Sequence, residues 1–237
     1  MEIHKGIDII DLALSYKDHL IISDLHIGLE EALNKEGILV PRFQLEEILK
    51  RLEKIFSKSK TTKKLVINGD LKHEFGEISR QEWRDTLKVL DFITQHNHEI
   101  ILIKGNHDTI LGPIAEKRNV KVVDFYQIDD ITILHGNKII PALSKILIIG
   151  HEHPSLSFKE RRGEKFKCFL KGKWKNKTII VLPSFNFVTE GYDIAQEAPL
   201  SPFLKSQYLG NFEVFIVEPQ SKEGALYFGK FKDIKKL

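Results

Sequence analysis

One cysteine and one methionine are all the sulfur in this 237-residue chain. Cys168 has no second cysteine to pair with, so no intrachain disulfide exists, and a cytoplasmic location is the simplest expectation. It lies in the alternating run Lys165-Phe-Lys-Cys-Phe-Leu170 and reads as a small buried hydrophobe. Long apolar runs are missing as well. None approaches the roughly 20 residues that cross a bilayer, so no membrane partner is expected. The segment Met1-Glu2-Ile3-His4-Lys5 lacks the apolar core and small-residue cleavage site of a signal peptide. Neither sign of charge dominates: 36 Lys and Arg against 33 Asp and Glu leave +3, too little by itself to demand a polyanionic partner. An apolar fraction of 42% and a charged fraction of 29% exclude the disordered and fibrous classes. Internal repeats and low-complexity linkers are also lacking, so residues 1–237 are read as one domain.

What the chain does have is a series of short apolar runs, each ending in a polar or glycine-bearing turn. His19–Ser23 leads to Asp24, and Lys64–Asn68 to Gly69-Asp70. Glu99–Lys104 leads to Gly105-Asn106, Ile131–Leu134 to His135, and Lys145–Ile149 to Gly150-His151. Short continuous runs of this kind fit strands buried on both faces. Between them lie helical patterns. Pro41 suits a first helical turn, and Leu45, Ile48, Leu49, Leu52, Ile55 and Phe56 follow at helical spacing. Ser79 with Glu82 reads as a capping box ahead of the apolar face Trp83, Leu87, Leu90 and Ile93. A third, shorter helix is expected over Ile110 to Arg118. Beyond Pro154 the helical signal fades into strands at Phe166–Leu170, Thr178–Leu182, Phe212–Val217 and Ala225–Phe228. Strands alternating with helices, then mostly strands, point to an α/β fold of two packed sheets with helices outside.

Six of the ten histidines (His26, His73, His107, His135, His151 and His153) fall just after expected strands, beside Asp, Asn or Gly. Open α/β sheets gather ligand sites beyond the carboxyl ends of their strands, so residues far apart in sequence can meet there. In Asp24-Leu25-His26 the donors stand at i and i+2, and extended chain points both the same way. His151-Glu152-His153 repeats that spacing. Gly69-Asp70-Leu71-Lys72-His73 adds a carboxylate and an imidazole after a glycine that permits a tight turn. In Gly105-Asn106-His107-Asp108 the Asn carbonyl oxygen is a neutral metal donor, and the next imidazole is placed to meet a substrate. A single strand-end histidine is an ordinary turn residue, but chance must here supply all five elements in order. His4, His19, His96 and His98 have no such setting and read as surface or turn residues.

The ordered set Asp24-x-His26, Gly69-Asp70-x-x-His73, Gly105-Asn106-His107-Asp108, His135 and Gly150-His151-x-His153 resembles the calcineurin-like metallophosphoesterase superfamily. Gly37, Pro41 and Leu182-Pro183-Ser184-Phe185-Asn186 further resemble the small archaeal and bacterial phosphoesterases associated with DNA ligase or helicase genes. The resemblance implies a four-layer α/β/β/α sandwich of two mixed sheets flanked by helices. It also implies two divalent ions. Asp24, His26, Asp70 and His153 would hold one, and Asp70, bridging, with Asn106, His135 and His151 the other. Asn106 and His107 would contact the scissile phosphate, His107 would assist the leaving oxygen, and Asp108 would support them. Two cations about 3.5–4 Å apart activate a bridging water, neutralise the phosphate and align the attacking and leaving oxygens. Nitrogen and oxygen donors without thiolate suit Mn, Fe, Co, Zn or Ni, and manganese is preferred on family grounds.

The protein phosphatases of that superfamily carry an Asp-Arg pair where this chain has His73-Glu74. The missing guanidinium removes a bidentate clamp for a dianionic phosphate, so a phosphodiester substrate is favoured over a monoester. His73 is expected to hold His107 by a hydrogen bond, and Glu74, if it faces the cleft, to repel a dianion. The span 159–177 holds nine basic residues against Glu160 and Glu164. It reads either as a Lys-rich edge hairpin or as a track for nucleic acid. A phosphomonoesterase and a non-catalytic metal-binding scaffold of the same fold are the alternatives.

Overall fold

The computed structural model describes residues 1–74, 78–96, 98–108, 117–118, 120–141, 143–158, 164–205, 207–218, 221 and 224–234. Two mixed sheets face each other. The first runs in chain order: β1 (Glu2–His4), β2 (Ile7–Ile10), β3 (Ala13–Tyr16), β4 (His19–Ile22), β5 (Lys64–Asn68), β6 (Glu99–Ile103) and β7 (Lys121–Val123). β1 to β4 form an antiparallel meander, and β4 to β7 are parallel. Parallel neighbours need a crossover. α1 (Leu29–Lys35) and α2 (Gln44–Lys58) lie between β4 and β5, and α3 (Arg80–Gln95) lies between β5 and β6.

The second sheet has the order β14 (Tyr192–Asp193), β11 (Pro154–Ser157), β12 (Lys165–Trp174), β13 (Lys177–Val181), β10 (Ile146–Ile149), β9 (Ile131–Leu134), β8 (Phe125–Ile128). β15 (Glu213–Val217) also pairs with β12, and β16 (Ala225–Lys230) pairs with β15. Its middle, β9, β10 and β13, is parallel.

Alternating side chains sort the core into layers. Ile21, Val66, Ile101 and Ile103 meet Ile133, Ile148, Phe169 and Ile180 between the sheets. Leu20, Leu65, Ile67 and Leu102 turn outward onto Ile48, Leu52 and Ile55 of α2 and Val89, Leu90 and Ile93 of α3. On the far side, Leu147, Ile149, Leu170 and Val181 are covered by Phe203, Leu204, Phe212, Phe231 and Ile234. Among the described residues that fourth layer is thin, built from turns, a 3-10 turn (Leu209–Asn211) and α4 (Phe231–Ile234). The sandwich of two mixed sheets is therefore the expected one, with its helices concentrated on one flank. Of the helix expected over Ile110–Arg118, residues 110–116 lie outside the described residues, and 117–118 form a turn.

Pro41 stands outside α2, whose first residue is Gln44. The open amides at that helix start are met from α1: Glu30 Oε2 accepts from the Phe43 and Gln44 amides at 3.0 and 3.1 Å. Gln44 then donates through Nε2 to the carbonyls of Leu25 and His26 at 3.1 and 2.8 Å. One buried carboxylate thus caps a helix whose first side chain fixes the loop leaving β4. Glu30→Ala is expected to cost about 1–2 kcal/mol, seen as a thermal midpoint roughly 2–8 °C lower, with Glu30→Gln closer to wild type.

Candidate active site

Six loops leave the carboxyl ends of parallel strands and converge. Asp24 and His26 follow β4, Asp70 and His73 follow β5, and Asn106 and His107 follow β6. His135 follows β9, His151 and His153 follow β10, and Asn186 follows β13. The first two loops stay zipped together past their strands. Asp24, His26 and Ile27 donate their amides to the carbonyls of Gly69, Asp70 and Leu71 at 3.1, 2.9 and 3.0 Å, and His73 returns one to Ile27 at 3.0 Å. Across the sheets, Phe185 donates to Ser23 O at 2.7 Å, and within the second sheet Gly150 donates to His135 O at 2.9 Å.

The backbone there is strained. Asp24, His26, Asp70, His151 and His153 all have left-handed φ, between 46° and 64°, a region that non-glycine residues enter at a cost and that recurs at functional sites. Glycine is needed where main chains pass closest. A Cβ on Gly105 would fall 2.1 Å from Asp70 Oδ1, and one on Gly150 would fall 1.9 Å from Ser23 Oγ.

Two groups of donors that include a carboxylate result, Asp24 with His26 and His153, and Asp70 with His135 and His151, and a third of imidazoles alone, His26 with His73 and His107, each with its ligand atoms within 4.8 Å of one another. Each carboxylate has one oxygen fixed by the fold and one turned to the imidazoles. Asp24 Oδ2 accepts from Ser23 Oγ at 2.5 Å and the His151 amide at 3.0 Å. Its Oδ1 lies 3.2 Å from His153 Nε2 and 3.6 Å from His135 Nδ1. Asp70 Oδ1 accepts from the His107 amide at 2.9 Å, while Oδ2 lies 3.3 Å from His135 Nε2 and 3.7 Å from His26 Nε2, between the two groups. Asn106 Oδ1 joins at 3.0 Å from His135 Nε2.

Burial would raise both carboxyls, but the surrounding imidazoles outweigh it. His153, then His135 and His26, hold Asp24 well below the usual carboxylate range, and His135 lowers Asp70. Burial and neighbouring imidazoles push His26 down to about 3 and His151 to about 4. His135 is the exception: burial lowers it, yet its hydrogen bond to Asp70 and the charge of Asp24 carry it up to about 9. Carboxylates held ionised beside the lowered imidazoles of His26 and His151 are the donor set of a divalent cation, so these residues fit the metals that the sequence implies.

The sequence profile of the calcineurin-like phosphoesterases matches residues 19–205. The chain belongs to that family. Its members are hydrolases of phosphate esters that use divalent metals. No curated protein matched. Among solved structures, nuclease MPE of Pseudomonas putida is similar at 22% identity and a TM-score of 0.62, over 87% of this chain and 88% of its own. The phosphoesterase Yfce of E. coli shares 18% identity, over 84% of this chain and 87% of its own, with a TM-score of 0.39.

The cleft of this phosphoesterase, about 240 Å³, opens onto His26, Asp70, His107 and His151, with Asn186 and Leu200 on its far wall. His107 Nδ1 donates to the main-chain carbonyl of His73 at 2.5 Å, and its Nε2 lies 4.0 Å from Asp70 Oδ2. Here the structure departs from expectation: the hydrogen bond that holds His107 comes from the backbone of His73, not its ring. The imidazole of His73 instead meets His26, Nδ1 to Nδ1 at 3.4 Å, and stacks beside His107 with centroids 5.3 Å apart. Glu74 does not line the cleft; its Oε1 pairs with Lys35 at 3.5 Å. The electrostatic role expected of it falls with that placement.

Glu82 also differs from its expected part. Ser79 Oγ accepts from the Glu82 amide at 3.0 Å, which is half of a capping box. The carboxylate, however, accepts from the amides of His73 and Glu74 at 2.8 and 2.9 Å, fixing the loop that carries the anchoring carbonyl. Asp108 links two loops of the site. It accepts from the amides of Gly105 at 3.0 Å and Leu71 at 3.1 Å, tying two motif loops together, and burial with the charge of Asp70 pushes it up to about 6. Two residues were not singled out from sequence. Glu152 accepts from the Leu200 and Ser201 amides at 3.0 and 2.8 Å and holds the cleft wall. Asn186 ends the run Thr178–Leu182 in a polar turn, the same signal that marked the other loops.

Gly150→Ala is expected to displace Asp24 and weaken metal binding at least tenfold by titration calorimetry, because its Cβ would fall 1.9 Å from Ser23 Oγ and 2.5 Å from Asp24 Oδ2, the hydroxyl and carboxylate oxygen that are hydrogen-bonded to each other. Asp108→Ala leaves buried amides unpaired at about 1–3 kcal/mol each, and a fall in the urea midpoint would register the loss.

Proposed function

We propose that this chain is a two-metal phosphodiesterase. The observation that carries the reading is the meeting of two separate three-donor groups at one cleft, with Asp70 between them and His107 beside them. Asp24, His26, Asp70 and His153 would hold one ion, and Asp70, Asn106, His135 and His151 the other, with manganese preferred and iron, cobalt, zinc or nickel as alternatives. When bound, such ions withdraw charge from the phosphate and make water a nucleophile near neutral pH. The chain's own residues do the rest. Asp24 and Asp70 stay ionised and are pinned by backbone amides. His107, with Nδ1–H engaged on the His73 carbonyl, directs Nε2 to the leaving oxygen and can give it a proton. Asn106, directly before it, positions the phosphate.

The preference for diesters rests on the cleft wall. Among the described residues no lysine or arginine lines it, so the second charge of a monoester finds no side-chain clamp. The name of the Pseudomonas nuclease puts nucleic-acid diesters among the substrates to test. Cys168, buried and unpaired, suits a reducing compartment such as the cytoplasm.

Chelation should abolish hydrolysis and Mn²⁺ restore it, with two ions bound per chain by elemental analysis; a single ion would reject the two-metal assignment. His107→Ala should keep both ions while turnover drops about 10²–10⁴-fold, least for nitrophenolate leaving groups. Wild type should cleave bis-(p-nitrophenyl) phosphate faster than p-nitrophenyl phosphate, and the reverse order would favour a phosphatase. Since the anchor of His107 is a carbonyl, His73→Ala should cost far less than His107→Ala.

A further inference from the structure

The segment that follows β13 separates two cavities. On one side Asn186, 1% exposed, lines the metal cleft. Its Oδ1 accepts from the amides of Val188 and Thr189 at 2.7 and 3.3 Å, which sets the side-chain amide and leaves Nδ2 buried without a hydrogen-bond partner. Unpaired buried donors are rare and ask for an explanation, such as a ligand that completes them. On the other side is a groove of about 240 Å³ lined by Arg51, Lys165, Phe166, Lys167, Phe187 and Thr189. Thr189 belongs to both cavities, so they adjoin.

The lining of the groove carries more cations than carboxylates. Glu190 is its only acidic lining residue among those described, against three cations. Arg51 is held by Asp11 at 2.6 Å and lies over the Phe187 ring, 5.3 Å from its centroid. Lys165 reaches Glu197 at 3.3 Å. Lys167 has only neutral hydrogen-bond acceptors, Ser184 Oγ at 2.7 Å and Thr189 O at 3.1 Å. Burial pulls its ammonium down to about 7 against the opposing pull of Glu190 and Asp24, neither of which bonds it directly.

The other described lysines of the basic stretch are occupied elsewhere. Lys171 pairs with Glu213 at 2.8 Å, Lys173 with Thr178 at 3.1 Å, and Lys177 with the carbonyls of Leu143 and Ser144 at 2.9 Å. Lys175 lies over Trp174, 4.6 Å from its centroid. Lys165 and Lys167 alone among them turn to the groove beside the metals.

We propose that this groove is a second phosphate subsite, occupied by the neighbouring phosphate of a single nucleic-acid strand whose scissile phosphate lies in the metal cleft. Lys167 and Lys165 take the neighbouring phosphate. Asn186 Nδ2 donates to the strand where it passes between the cavities, and the Arg51–Phe187 stack is a platform for an unpaired base. Cations tracking a backbone beside a stacking surface are how proteins bind single strands without sequence preference. The proposal rests on the phosphodiesterase reading.

The test compares a short single-stranded oligonucleotide with bis-(p-nitrophenyl) phosphate, which is too small to span both cavities, using Mn²⁺-loaded enzyme. Lys167→Met and Lys165→Ser should each raise KM for the oligonucleotide about tenfold and flatten the slope of log KM against log salt by roughly 0.7. On the small diester, kcat/KM should change less than about twofold, since it makes no contact in the groove. Lys165 touches neither Ser184 nor Thr189, so Lys165→Ser keeps the test open if Lys167→Met does not fold. Equal losses on both substrates would assign the lysines to holding the loop and overturn the proposal. An unchanged oligonucleotide KM, or no oligonucleotide cleavage by wild type, would overturn it too. Failure of wild type on the small diester would instead reject the phosphodiesterase reading, and the subsite with it.

Discussion

Between Gly105 and Asp70, and between Gly150 and Asp24, there is no room for a Cβ atom. The first packs the loop after β6 onto the loop after β5 and the second joins the carboxyl ends of the two sheets, so that donors from β4, β5, β6, β9 and β10 share one cleft. The same crowding explains the left-handed backbone at five of the donor residues. Extended strands running straight on would carry those side chains past the cleft; the reversal turns them into it. Strain of this kind persists only where its surroundings over-determine it. Here they do: the amides of Asp24, His26, His107 and His151 each have a specific acceptor.

Charge follows from the same geometry. Asp24 and Asp70 are almost fully buried, and isolated carboxylates would not stay ionised there. They do so because imidazoles stand within 4 Å of each, and because backbone amides bond one oxygen of each. In the protein alone, His135 carries the proton that offsets them. A cation taking that place releases the proton, so affinity and pH are tied together at this residue.

Much of this was legible in the sequence because buried parallel strands write themselves as short apolar runs, and each run here ends in its chemistry. β4, β5, β6, β9 and β10 fall inside expected segments, and β13 starts one residue before its own. β1, β2 and β3 were not read, since three- and four-residue strands broken by turns at Lys5-Gly6, Asp11-Leu12 and Lys17-Asp18 leave too little periodicity. The start of α2 was misplaced because its cap is supplied by Glu30, thirteen residues before Phe43 in the chain. Side-chain direction was the harder matter. Spacing put Glu82 in a capping box, and the resemblance set Glu74 at the place of an arginine without fixing whether it faces the cleft; which loop a carboxylate serves depends on the packing of α3 against the chain at 73–74, and no local pattern encodes that.

The zippering of residues 24–27 against 69–73 has a consequence for motion. Those four main-chain bonds prolong the β4–β5 ladder beyond the strands, so the donor loops open only when the central sheet opens. Catalytic loops are commonly the least protected part of a domain; here the amides of Asp24, His26 and Ile27 belong to the same cooperative unit as the core. In hydrogen exchange they would be among the slowest, exchanging with β4 and β5 themselves. Such a centre offers a metal a nearly finished mould.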